Sequence, residues 1–539
     1  MEKRVLLAIV ISAVFMFAYP HISGWINPPK KTVTVDKGEK SGQPIPEGGY
    51  APIAAAPTIK PAATPQKIKE EIKEEFTRIE TPLYIASFTN KGGAITKWEL
   101  KRHFTPKKDG SRPINLSQTI LTKGSLTTSV VINNVSKDLY FKTSNTINAT
   151  IDLAAGEKKE LIYSAVTSEG VIIEKKYIFN AAVYPVEVEI TATSAKTNAA
   201  GGYAPIGKTV TVINANAAGK DATGYHNGPI INAGKKLIRQ KSNDAQMSGS
   251  ANAAWFGTED KYFLAVFIPK DNAAVNWTAD AGANAASKAA LVAPFNLSPG
   301  AKVKTAFKAF MGPKEHTLLE AEKAGLEDAI EYGVFSFLAQ PSLTALNFFQ
   351  KYVANYGLAI IILTVIIKIV FYPLTAHSLK SMKEMQKVQP QLLAIREKFK
   401  DNKEKLNKEM MELYKRYKIN PLGGCLPMVL QIPVFLALYE VLYVAIELRQ
   451  APFFLWIMDL SEKDPYYISP ILMGATMFLQ QKMTPTTADP MQAKIMLFMP
   501  VIFTVMFLSF PSGLVIYWLV NNVLSIAQQY YAQRGAVKA

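Results

Sequence analysis

Five apolar stretches fill nearly half of the chain beyond residue 355: Tyr356–Leu374, Leu422–Ile446, Tyr466–Leu479, Ile495–Phe510 and Leu514–Ile526. Their lengths are those of membrane segments, and together they carry one cation, Lys368. A lysine at the centre of a membrane helix costs about 2.5–3.5 kcal/mol on insertion scales, so an intramembrane cation is first of all a candidate functional residue. The C-terminal region therefore reads as a five-span helical bundle enclosing one positive charge.

Charge supplies the topology. The net charge of +17 is concentrated in 76–317 and in 376–420, in neither case as a stripe or tail of the kind that grips nucleic acid, so DNA is not an expected partner. The N-terminus, Lys3-Arg4 followed by apolar Val5–Tyr19, has no small-x-small cleavage pattern and reads as an uncleaved signal-anchor over 1–27. With its cations inside, 28–317 lies outside the membrane and the next span returns inward. The strongly basic loop 376–420 then lies inside, and the acid-rich loop 447–465 outside, as the positive-inside rule requires. The expected architecture is a polytopic α-helical membrane protein with six spans, five of them a core bundle, and both termini cytoplasmic.

Between the first two spans the texture changes twice. Residues 28–75 are rich in Pro, Ala, Lys and Glu and read as a disordered tether. From 76 to 317 apolar and polar residues alternate, as at Val186–Ile190 and Thr209–Val212, with Gly92-Gly93 as a turn; this predicts a large all-β sandwich. Leu318–Phe349, acidic early and aromatic late, predicts an amphipathic interfacial helix over 318–350, broken at Pro341; a helix packed on the sandwich fits the same pattern. In 376–420, Glu404–Lys408 and Glu412–Arg416 support helix, and Pro390 and Pro421 bound a cytoplasmic helical hairpin. Its positive charge favours anionic lipid heads or ribosomal RNA, although a solvated face would look the same.

Catalytic signals are missing. Gly202–Thr209 fits the P-loop spelling, but the residues after it alternate as a strand where a P-loop needs a helix, and Pro205 removes a backbone donor. The five histidines are dispersed, and the single cysteine, Cys425, leaves no disulfide or cysteine-based metal site within one chain. No cofactor or enzymatic activity is expected. Around Lys368 the polar candidates are Thr364, one turn earlier on the same face, Gln431 and Glu440 in the third span, and Asn521, Asn522 and Ser525 in the last. They could line a wet cavity or be interhelical hydrogen bonds, and Lys368 could simply snorkel to the headgroups. The last three apolar runs are also short for a hydrocarbon core of about 30 Å, which favours local bilayer thinning.

The run Asn420–Tyr439 (NPLGGCLPMVLQIPVFLALY), with Thr484–Thr487, Asp489–Gln492 and Phe510–Gly513, resembles the YidC/Oxa/Alb family of membrane insertases. The resemblance covers about 350–531 specifically, and 76–317 through domain order and length, as in Gram-negative members with a large periplasmic domain. It implies a protein of the bacterial inner membrane that inserts and folds nascent membrane proteins, alone or with the Sec translocon, without hydrolysing nucleotide. It also implies a hydrophilic groove whose cation attracts acidic substrate segments. The family usually has Arg where this chain has Lys368. Contacts with a substrate helix would map to Thr364, Phe435, Met473, Ile502, Met506, Tyr517 and Trp518. Ribosome contact, made in some members by a long basic tail, would fall here to the cytoplasmic loops, because only the short tail 532–539 follows the core. Two other classes fit parts of the pattern: a transporter or channel with Lys368 as substrate site, and a membrane-tethered sugar-binding sandwich.

Overall fold

The computed structural model describes residues 74–534, apart from 106–109, 118–123, 144–149, 195–205, 218, 221–224, 235, 242–245, 251–252, 271–274, 282–285, 299, 401, 418–425 and 485–489. The expected signal-anchor, nearly all of the tether and the end of the short tail lie outside the described residues. Between Phe76 and Pro313 the regular structure of the described residues is all strand, in sheets of five, ten and six strands. Pairing is antiparallel throughout the described strands except for Phe76–Glu80 beside Thr150–Asp152. The alternation seen in the sequence sets the faces: in Val171–Asn180 every second residue from Val171 to Phe179 is buried. The expected turn is present, Gly92 and Gly93 both having positive φ between Tyr84–Thr89 and Ala94–Phe104. Ile206–Ala217 is a strand, so a strand and not a helix follows Lys208 in the P-loop-like spelling.

A buried ionic cluster joins this β-domain to the helical pieces C-terminal to it. Glu259 accepts from Arg239 at 2.6 Å and from Lys314, at the end of the last strand. Burial alone would raise the Glu259 pKa, but the two cations hold it below the usual carboxylate range. Arg239 also donates to Ala329 O at 3.1 Å, and Trp255 Nε1 to Gly325 O at 3.0 Å. The acidic half of the expected interfacial helix is thus two short pieces on the β-domain, α1 (His316–Ala321) and a 3-10 turn, Leu326–Ala329. Only the aromatic half forms a long helix, α2 (Ser336–Val353). The single helix expected over 318–350 is therefore wrong, and so is its break at Pro341. Left-handed Lys323, Gly325 and Gly333 interrupt the chain instead, while Pro341 sits on an exposed face inside α2.

The bundle consists of α3 (Tyr356–Val370), α6 (Leu426–Val444), α7 (Ile468–Met483), α8 (Pro490–Phe507) and α9 (Ser512–Arg534), one on each apolar run. Between α3 and α6 stand α4 (Tyr372–Lys398) and α5 (Lys403–Arg416), packed through Val388, Leu392, Leu413 and Tyr414 as the expected hairpin. Its start differs from expectation. Pro390 lies exposed within α4, and the chain instead bends by 64° between α3 and α4, where Pro373 has no N–H to continue the helix. Helices α7 and α9 outlast their apolar runs and α8 starts ahead of its own, because residues such as Gln480 and Lys482 keep the helix while leaving the hydrophobic pattern. Among the described residues no single helix is long and apolar enough to cross a membrane, whereas the bent pair α3–α4 passes that test together.

The β-domain rests on one end of the bundle. Arg449 Nη2 and Gln450 Nε2 donate to Phe104 O at 2.6 and 2.9 Å, and the Lys261 ammonium lies 3.7 Å from the centre of the Tyr443 ring. The 447–465 loop is consequently at the same end as the β-domain, and the α4–α5 hairpin at the other. At this junction burial pushes the Glu447 carboxyl up to about 7, with the Glu315 charge acting in the same direction. A raised folded-state pKa favours the protonated form, so its stabilising contribution is complete below about 4.5 and is lost as pH rises to about 7. Glu447→Gln should therefore match the parent in thermal stability near the lower limit and exceed it above the upper one. Parallel curves at every pH would show that Glu447 does not titrate in this window.

Candidate functional site: a polar seam around Lys368

Lys368 lies near the end of α3, half-buried, and its Nζ donates to Ser525 Oγ of α9 at 2.7 Å. Ser525 passes its own proton back to Asn521 O at 2.8 Å. One turn earlier, Asn521 Oδ1 accepts from Gln431 Nε2 of α6 at 2.5 Å, and the same amide approaches the Tyr517 hydroxyl at 3.3 Å. Tyr517, Asn521 and Ser525 are spaced by four, so they form one stripe along α9, facing α6 at one end and α3 at the other. The seam thus links three helices and pairs the cation with a neutral hydroxyl. No acid forms a salt bridge with Lys368 among the described residues.

The other sequence candidates separate. Thr364 is buried, and its hydroxyl bonds to Ile360 O of its own helix at 2.6 Å, so it shares a face with Lys368 without joining the seam. Asn522, turned about 100° from Asn521, faces α7 and donates to Thr476 Oγ1 at 3.3 Å. Gln529, the next member of the spacing-of-four series, has drifted to the same side and donates to Met483 O at 2.7 Å. Neither Gln529 nor Thr476 was singled out from the sequence, although the ladder 517, 521, 525, 529 is visible there.

The expected substrate contacts divide by burial. Phe435 meets Trp518 edge to face at 4.8 Å, and Phe503 and Phe507 complete an aromatic cluster beside it. Tyr517 and Met473 are wholly buried, Trp518 and Met506 are half-buried, and Ile502 is exposed. Close packing accounts for some of this: a Cβ on Gly474 would lie 1.9 Å from Thr504 Oγ1, so α7 and α8 meet where only glycine fits.

Fold and seam define a β-rich domain seated on an apolar helical bundle with an internal polar network. Residues 77–344 match the family described as YidC periplasmic domain, and 348–539 the family described as 60Kd inner membrane protein. A membrane protein insertase YidC of Syntrophus aciditrophicus is 42% identical over 560 residues, covering 99% of this chain and 100% of that one. Its counterpart in Geobacter metallireducens is 41% identical over 548 residues, covering 100% and 99%. A crystal structure of a YidC insertase overlays with a TM-score of 0.38 at 18% identity, over 84% of this chain and 91% of that one. The chain belongs to the YidC family, inner-membrane proteins with a periplasmic domain.

A hydrogen bond to a charged group is worth about 1.5–3 kcal/mol. Ser525→Ala should lower bundle stability in detergent by that order, and Lys368→Met should cancel most of the effect, since no ammonium then lacks a partner. Additive losses in this double-mutant cycle would mean that the Lys368–Ser525 bond contributes nothing.

Proposed function

We propose that this chain inserts and folds nascent membrane proteins in the inner membrane, using Lys368 as an attractive charge within a hydrophilic groove. The reading places six spans in the membrane, with both termini cytoplasmic and the 76–317 domain in the periplasm behind its 28–75 tether. The observation that carries it is the state of the lysine. It is held by Ser525, a neutral partner, so an acidic substrate group does not have to displace a resident carboxylate. An ion pair at about 4 Å and an effective dielectric of about 20 is worth on the order of 4 kcal/mol before desolvation is subtracted. That is enough to retain a substrate segment briefly without trapping it. Its apolar spans then partition sideways into lipid, past the exposed flank that includes Ile502 and beside Met506 and Trp518.

Lys368→Arg should keep insertion, because the charge is preserved. Lys368→Glu should block substrates with acidic translocated segments by an order of magnitude or more, since roughly 1.4 kcal/mol already gives tenfold. Neutralising the substrate acids should relieve that block. Normal insertion of acidic-tailed substrates by Lys368→Glu, at matched protein levels, would reduce the lysine to a snorkelling residue.

The same reading gives the α4–α5 hairpin the first contact with the emerging chain or the ribosome, through its basic surface, with anionic lipid heads as a second partner. The Sec translocon is a further partner for some substrates. Replacing Lys380–Lys418 by a short flexible linker should slow insertion even where the bundle still assembles, as measured by protease protection of a reporter substrate. Unchanged insertion would leave the hairpin a solvated face.

A further inference from the structure

The loop after α6 ends in a tip whose inner side is packed against the bundle and whose outer side is exposed. Asn355 Nδ2 donates to Phe453 O at 3.1 Å, and the Phe453 ring lies where a Cβ on Gly357 would come within 1.9 Å of it. Phe453 N donates to Ile457 O at 2.9 Å, Ile457 N to Phe454 O at 3.1 Å, and Ile457 itself is buried. This closes a tight turn over Phe454, Leu455 and Trp456. Leu455 sits there with φ of 55°, a left-handed conformation that a residue with a Cβ rarely adopts. The outward side chains are Phe454, Leu455 and Met458, exposed by 52%, 78% and 56%. From Ala451 to Met458 the sequence carries no charge.

The depth of this tip is fixed by its anchor. Asn355 is the residue at which α2 turns into α3, so the tip lies level with the end of α2, where Phe348 and Tyr352 are also exposed. The β-domain docks on Arg449 and Gln450 just before the tip, and the exposed apolar surface resumes at Tyr466 and then at Ile468 and Ile471 of α7. An uncharged, aromatic and aliphatic tip at that level has the chemistry of an interfacial membrane anchor. We infer that Phe454, Leu455 and Met458 insert into the headgroup-to-acyl zone of the periplasmic leaflet. There they form an interfacial element that holds the outer end of the bundle at a set depth. This rests on the membrane residence proposed above and not on the role of Lys368.

The test uses the full-length protein with Cys425→Ser, reconstituted in phosphatidylethanolamine–phosphatidylglycerol vesicles. Single cysteines at Leu455→Cys and Met458→Cys carry an environment-sensitive fluorophore, with Glu462→Cys on an exposed polar stretch and Val501→Cys on the exposed side of α8 as references. The expected result is a blue shift at 455 and 458, with stronger quenching by nitroxide lipids labelled near the headgroup than by those labelled near the chain end. Position 501 should show the reverse ratio, and 462 should be quenched by aqueous iodide instead. Iodide quenching at 455 and 458 equal to that at 462 overturns the inference. A blue shift without lipid quenching at either position also overturns it, because a protein surface then covers the tip. If 501 too escapes lipid quenching, the membrane reading itself fails, which separates the two failures.

Discussion

The bundle is organised by the problem of keeping one ammonium among apolar helices. A lysine at helix centre costs about 2.5–3.5 kcal/mol, an upper bound for Lys368 in the last turn of α3, and a hydrogen bond to a charged donor returns about 1.5–3. Ser525 therefore offsets much of the cost, provided α9 holds that hydroxyl within reach of α3. The requirement propagates along α9: Asn521 is fixed by Gln431, which locks the rotation of α9 against α6, while Asn522 and Gln529 lock it against α7. Satisfying one cation thus sets the register of the central helix against three neighbours.

The β-domain is bound to this arrangement more firmly than a domain on a flexible tether. Its connection to α2 is pinned by the Arg239–Glu259–Lys314 cluster, and a second contact with the bundle is made through Arg449, Gln450 and Lys261. Removing one member of a buried ionic cluster costs about 3–5 kcal/mol, because the remaining charges are left uncompensated. The clamp differs in kind. Arg449 and Gln450 bond to a backbone carbonyl, so the contact depends on the position of the strand end at Phe104 and not on its side chain.

Much of this was legible in the sequence, and the misses share a physical cause. The five helices, the β-domain and the hairpin followed from hydrophobic period and length. Helix ends did not, because helix continues wherever the backbone is satisfied, whereas the apolar pattern stops where burial stops. Pro341 and Pro390 misled for a related reason: on an exposed face a proline costs a hydrogen bond without ending the helix. Asn521 and Asn522 were grouped together although consecutive residues point about 100° apart, a distinction that the spacing of four from Tyr517 to Gln529 already contains. The Arg449 clamp had no sequence signal, since its acceptor is a main-chain oxygen more than three hundred residues away.

The same geometry explains why a neutral partner matters for the proposed reading. A carboxylate beside Lys368 would stabilise the ammonium better than a hydroxyl does, and would also occupy it permanently. Displacing it would return the full desolvation cost of two separated charges, several kcal/mol each, to any incoming substrate. With Ser525 an arriving acid exchanges one hydrogen bond for an ion pair, and the seam can keep Ser525 satisfied through Asn521 O while the lysine is engaged. Stability of the empty bundle and availability of its charge therefore pull in opposite directions. A hydroxyl on a neighbouring helix sits between those limits.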